Sequence, residues 1–214
     1  MDILGRARAV LDAEAQAILH VPLSAGFVQA VEAIYRCKSK IIVKGMGKAG
    51  NIARKIASTL CSTGTPACFL HPGEAAHGDL GLVAPGDVLL AFSTSGKTRE
   101  VLEIIELARR LEIGCVIAVT SHLDAPIRDL ADIVIDMGEV DEPCRLGLTP
   151  TASTAVMMAI GDALALCVMD IRGFTRDDYG LRHHGGYLGQ LSRGETYITP
   201  EGAIDENQLP EMRL

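Results

Sequence analysis

The chain has 214 residues, enough for one ordinary α/β domain or at most two small ones. Hydrophobic residues make up 48% and charged residues 22%, which excludes a disordered or low-complexity protein. With 20 Lys+Arg against 27 Asp+Glu the net charge is −7, so no basic stripe is available for a phosphate backbone and nucleic acid is not an expected partner. The six cysteines (Cys37, Cys61, Cys68, Cys115, Cys144, Cys167) form no CxxC pair and sit mostly in apolar runs, as reduced, buried thiols do. The N-terminus lacks the layout of a signal sequence. The longest apolar stretch, 155–169, is broken by Gly161 and Asp162 and reads as too short and too polar for a bilayer. The expectation is a cytoplasmic protein with no membrane contact.

In chain order, residues 2–19 read as a helix, with Ile3, Leu4, Ala7, Val10, Leu11 and Ile18 near 3.6 spacing. Pro22 interrupts, and Ser24 is a fair N-cap for a second helix to about Cys37. Short apolar runs then recur at 41–43, 67–70, 88–92, 115–119 and 133–135, separated by helix-length segments at 49–63 and 98–111 and a shorter one at 127–130. Continuous apolar strands alternating with helices predict a doubly wound open sheet of five parallel strands flanked by helices. A helix at about 151–172 is apolar nearly all round, which predicts burial on every side, part of it against another subunit of a homo-oligomer. Residues 1–37 are expected as helices packing on the domain, 38–190 as the domain itself, and 191–214 as a polar tail containing Pro200 and Pro210.

Ligands of such sheets bind beyond the carboxyl ends of the strands, at the reversal of strand order. The first strand runs into Gly45-Met46-Gly47-Lys48-Ala49-Gly50, a G-x-G-x-x-G in a strand–turn–helix setting. The acid that a dinucleotide's ribose needs is missing, because the second strand ends Phe69-Leu70-His71-Pro72 with Glu74 beyond it. A tight turn packed close by glycine is therefore at least as good a reading, and Lys48 suits a phosphorylated or negatively charging ligand. The third strand runs into Ser93-Thr94-Ser95-Gly96-Lys97-Thr98. A P-loop would need glycine where Ala91 stands, although Ile133-Val134-Ile135-Asp136 imitates the strand that accompanies one. Four hydroxyls (Ser93, Thr94, Ser95, Thr98) with backbone N–H groups at a helix N-terminus suit one phosphate monoester. His71, Glu74, His77 and Asp79 are spaced like no zinc motif, and structural histidines in capped turns are a common alternative. Of the adjacent His183 and His184, at most one can serve a given site.

These segments, with HPGEAAHGDLG, LGLTPTAST and a terminal H-x-GG-x-LG, resemble the sugar isomerase (SIS) domain family, and within it the arabinose 5-phosphate isomerases, over about residues 40–190. The resemblance implies a five-stranded parallel sheet and a homotetramer with sites at subunit junctions. It implies a sugar-phosphate substrate, no cofactor and no metal. The activity implied is interconversion of ribulose 5-phosphate and arabinose 5-phosphate, feeding the octulosonate sugar of lipopolysaccharide. Another sugar phosphate, or binding without catalysis, is the alternative. The catalytic set it implies is Lys48, His77, Glu100, Glu142 and His183, with Gly47, Ser93, Thr94, Ser95 and Thr98 holding the phosphate. In this set Glu142 moves the proton and Lys48 stabilises the enediolate. His183, with His77 second, relays protons, and Glu100 orients Lys48 or shares the base role. A metal-using branch leaves His71, Glu74 and His77 a small claim on zinc. Three departures stand out: Ala49 for the serine usual in GMGKSG, Lys97 for the glutamate usual in SGES, and no CBS domain pair.

Overall fold

The sheet is built from five short runs that satisfy their backbone hydrogen bonds only with one another: β1 (Ile41–Gly45), β2 (Ala67–Phe69), β3 (Val88–Phe92), β4 (Cys115–Thr120) and β5 (Ile133–Asp136). In the computed structural model they pair in parallel in the order β2-β1-β3-β4-β5, with Ile41 opposite both Ala67 and Val88. The expected doubly wound open sheet is thus the observed one. The structure describes residues 1–194 and the short strands Ile198–Thr199 and Gly202–Ala203, so most of the expected 191–214 tail lies outside the described residues.

Side chains alternate across the sheet, as the two-residue period of a strand requires. Val43, Leu90, Phe92, Ile117 and Val119 face one core. Ile42, Leu89, Ala91, Val116 and Ala118 face the other. The first face is covered by α2 (Ala25–Arg36), α3 (Lys48–Ser62) and α7 (Ala152–Ile171), the second by α4 (Pro72–Ala75), α5 (Arg99–Arg110) and α6 (Ile127–Leu130). Each Ile, Leu or Phe buried this way contributes roughly 1.5–3 kcal/mol, so both faces are needed. Helix α1 (Ile3–Leu19) begins at Asp2, whose carboxylate accepts from Gly5 N at 3.0 Å, and it packs against α7. Two helices follow α7 that the apolar pattern does not announce, α8 (Arg176–Arg182) and α9 (Gly186–Ser192). Helix α8 starts at a capping box between Thr175 and Asp178.

One expectation about α7 needs correction. It has 20 residues and a stretch of mean hydropathy 1.8, so by length and composition it could cross a membrane. What occupies it here is packing on α1, α2 and α3. Within one chain Leu166 is 47% and Ile171 53% exposed, which leaves apolar surface of the kind expected to meet another subunit.

Candidate active site

Loop β1–α3 opens the site. Gly45 and Gly50 let strand and helix approach closely, since a Cβ on Gly45 would lie 2.7 Å from the Ala49 carbonyl and one on Gly50 2.8 Å from the Gly45 oxygen. Gly47 caps α3 at φ +59°, a backbone state that favours glycine. The motif is therefore a packing device that brings Lys48 to the first position of α3, at the switch point between β1 and β3.

The second arm is the β3–α5 loop. Thr98 stands at the N-cap of α5 but makes no capping hydrogen bond with its side chain. Its hydroxyl lies 3.2 Å from the Ser93 hydroxyl instead. Ser95 Oγ accepts from Lys97 N at 3.2 Å, and Thr120 Oγ1 donates to the Thr94 carbonyl at 3.1 Å, which ties the loop to β4. Gly96 turns the chain at φ +62°, with no room for a Cβ beside Ala125 and Ile127.

Lys48, Ser93, Thr94, Ser95 and Thr98 line one cavity of about 270 Å³, a size for a small ligand rather than a dinucleotide. Its far wall holds Pro150, Ser153, Thr154 and Met157, from the start of α7. The N-terminal turns of α3, α5 and α7 thus converge on one small polar space, and each carries partial positive charge. Ser153 and Thr154 were not singled out in the sequence. Their only local signal is the run of hydroxyls Thr151, Ser153 and Thr154 at the start of a helix, without the preceding strand that marks Ser93–Thr98, because β5 ends at Asp136 and α7 begins at Ala152.

Glu142 sits beside this wall rather than in the cavity. One carboxylate oxygen accepts from Thr151 N (2.7 Å), Ala152 N (2.9 Å) and Thr151 Oγ1 (3.3 Å). The other accepts from Ser153 N at 3.3 Å and from the Ser153 hydroxyl. Burial works against its ionisation, but the Ser153 hydroxyl and the three backbone N–H donors outweigh it and hold the carboxyl below its ordinary value. Glu142 is the N-terminal cap of α7, supplied from a distance.

The remaining candidates do not line the cavity. Glu100 is exposed in the first turn of α5, two residues past Thr98. His77 is exposed after α4. His183 is the C-cap of α8, half-buried and stacked on Tyr179. His71 is committed locally, accepting from Gly73 N through Nδ1 at 3.2 Å. Among the described residues no three His, Cys, Asp or Glu side chains form a metal-holding group, so His71, Glu74 and His77 are not brought together as ligands.

The fold and this cavity define a doubly wound α/β domain with a small hydroxyl-lined cavity at the carboxyl ends of its strands. The SIS domain pattern matches residues 34–167, and the chain belongs to that family. The chain is 45% identical over 180 residues to arabinose 5-phosphate isomerase KdsD of Yersinia pestis, covering 84% of this chain and 55% of that protein. Against the protein of that name from Pseudomonas aeruginosa, the identity is 40% over 192 residues, covering 89% of this chain and 59% of the other. The chain thus spans just over half the length of the curated relatives it matches. Among solved structures, a candidate phosphosugar isomerase involved in capsule formation from Bacteroides fragilis superposes with TM-score 0.83 at 46% identity, covering 86% of this chain and 99% of that one. An E. coli CFT073 protein in complex with arabinose 5-phosphate superposes with TM-score 0.81 at 34% identity, covering 85% and 97%.

Proposed function

We propose that this chain is an aldose–ketose isomerase that interconverts ribulose 5-phosphate and arabinose 5-phosphate through an enediol, without metal or cofactor. The observation that carries the reading is the shared cavity of Lys48 with Ser93, Thr94, Ser95 and Thr98. Hydroxyls at a helix N-terminus suit a phosphate monoester, and an ammonium beside them suits a negative charge that forms during reaction. The likeness to proteins named arabinose 5-phosphate isomerase, and to a structure holding arabinose 5-phosphate, supports the choice of sugar.

Phosphate held in the β3–α5 loop would position C1 and C2 of the open-chain sugar. A carboxylate removes a C1 proton from ribulose 5-phosphate, the electron pair forms the C1–C2 double bond, and O2 takes the negative charge facing Lys48. A relay carries the O1 proton to O2. The carboxylic acid then returns its proton to C2 as C1 becomes the aldehyde, so nothing is gained or lost. Glu142 is the first assignment for the base. The five donors on its carboxylate favour a second, in which Glu100 takes the proton and Glu142 holds Ser153 at the cavity wall.

His183 is the proposed relay. It lies outside the cavity of its own chain, and α7 and α1 leave Leu166, Ile171, Leu4 and Leu11 exposed. Both facts support a homo-oligomer, a tetramer by family likeness, in which His183 serves a neighbour's cavity. The deciding experiment is incubation with ribulose 5-phosphate and detection of arabinose 5-phosphate, alongside hexulose phosphates. Turnover should fall at least ~10²-fold in Lys48→Met. Phosphosugar binding without turnover in the wild type would overturn the enzyme reading.

A further inference from the structure

His183 is held by one residue in two ways. Its ring stacks on Tyr179 with centroids 3.8 Å apart and planes 8° from parallel, and its Nδ1 lies 3.0 Å from the Tyr179 carbonyl oxygen. The same oxygen accepts the His183 backbone N–H at 3.0 Å, so both bonds converge on one acceptor at the end of α8. A carbonyl oxygen has only lone pairs to offer. The nitrogen facing it must therefore carry the hydrogen, and in a neutral imidazole that leaves Nε2 as the only lone pair.

Tyr179 is half-buried and lines a groove beside α3 with Asn51, Arg54, Lys55, Ser58 and Thr59. Helix α8 is pinned at its start by the Thr175–Asp178 box, and at its end by Arg182, whose guanidinium lies 5.0 Å over the Phe174 ring and donates to the Asp178 carbonyl at 2.8 Å. On the far side α9 packs against the His183 carbonyl so closely that a Cβ on Gly189 would lie 2.1 Å from that oxygen. An imidazole free to turn about its own side-chain bonds would present either nitrogen. This one is held on a fixed platform, in one plane and with one nitrogen already engaged.

We propose that Tyr179 is a positioning residue that fixes His183 in the Nδ1–H tautomer and presents Nε2 as the sole nitrogen for proton transfer. The proposal rests on the relay role given to His183 above. Its value is that of preorganisation: a ring misplaced by about 1 Å can lose up to ~10²-fold in rate.

The first test needs no variant. Long-range ¹H–¹⁵N spectra of the ¹⁵N-labelled wild type, taken where the imidazole is neutral, should show His183 protonated at Nδ1. A signal protonated at Nε2 overturns the proposal. Tyr179→Phe keeps ring and carbonyl, and should keep both that spectrum and wild-type kcat. Tyr179→Leu keeps the carbonyl but loses the stack, and should give mixed tautomers. Its kcat for ribulose 5-phosphate should fall roughly 10-fold or more, with KM within about twofold because the phosphate loop is untouched. Full kcat in Tyr179→Leu, with His183→Asn inactive, overturns the positioning role alone. Full kcat in His183→Asn instead overturns the relay assignment beneath it.

Discussion

Replacing Glu142 by Gln separates its two possible duties. The carboxylate satisfies three backbone N–H groups at the start of α7 and two hydroxyls, divided between its oxygens. An amide keeps one acceptor oxygen. Placed where Thr151 and Ala152 donate, it would turn an NH2 group toward Ser153 N and leave that donor unpaired. An unsatisfied buried donor costs about 1–3 kcal/mol, and loss of the negative charge at a helix N-terminus adds about 0.3–1 kcal/mol. The expected loss is therefore roughly 2–3 kcal/mol, or about 4–12 °C in Tm for a chain of this size.

The pH dependence carries the sign. The folded-state pKa of Glu142 lies below its unfolded value, so its stabilisation is complete above the ordinary carboxyl range. It is lost as pH falls through the folded-state value. Urea unfolding of wild type and Glu142→Gln should show the full gap at pH 7 and a shrinking one between pH 5 and 3. Equal stability at pH 7, or a gap unchanged by acid, would refute the capping argument. Turnover of the folded variant then assigns the base: a loss of ~10²–10⁴-fold marks Glu142 as the proton carrier, whereas a loss confined to stability moves that role to Glu100.

Ser95→Ala should raise KM for ribulose 5-phosphate about 10-fold or more with a smaller effect on kcat, the worth of one hydrogen bond to a charged group; an unchanged KM in steady-state kinetics would remove Ser95 from the phosphate site. Lys44 is fully buried in β1 with its ammonium nitrogen 2.6 Å from the Val101 carbonyl, and burial pushes its pKa well below the usual lysine value. The unfolded chain holds that proton more tightly, so wild-type stability should climb with pH up to the ordinary lysine range. Lys44→Met should be more stable by about 1–4 kcal/mol near pH 7, the advantage narrowing by pH 10; a less stable variant in urea titrations would contradict this. The Cys144 thiol accepts N–H bonds from Thr149 (3.3 Å) and Leu148 (3.2 Å), which lower its pKa to about 7, while burial raises that of Cys115 to about 11. Alkylation at pH 7, followed by peptide mass spectrometry, should label Cys144 well ahead of Cys115; equal rates would count against the thiolate.

Local pattern carried most of the architecture in this chain. Apolar runs such as Val88–Phe92 announced strands because every position on a strand covered on both faces must be apolar. The stretches between them announced helices and hence parallel pairing. The hydroxyl-rich loop from Ser93 to Thr98 announced a strand end running into a helix N-terminus for the same local reason, and the structure places its hydroxyls in one cavity with Lys48. Lys48 followed from its place in the neighbouring turn.

Tertiary structure decided what depends on distant segments meeting. The start of α7 became the cavity's third wall because β1, β3 and α7 converge at one end of the sheet, although the chain runs from Gly45 to Val88 between the first two and from Phe92 to Ala152 between the last two. Glu142 lies in the polar run Asp141-Glu142-Pro143, where nothing local announces a partner, yet the fold delivers it to the three N–H groups of Thr151, Ala152 and Ser153. The short helices α8 and α9 escaped notice because seven residues show too few turns for an apolar period to emerge. With them went the stacked Tyr179 platform under His183. Sequence reports the chemistry each segment can offer. Which offers coincide is set by how the elements pack: the donors on Glu142 come from the start of α7, nine to eleven residues on, the cavity joins the ends of β1, β3 and α7, and the His183 imidazole meets Tyr179 only because α8 forms between them.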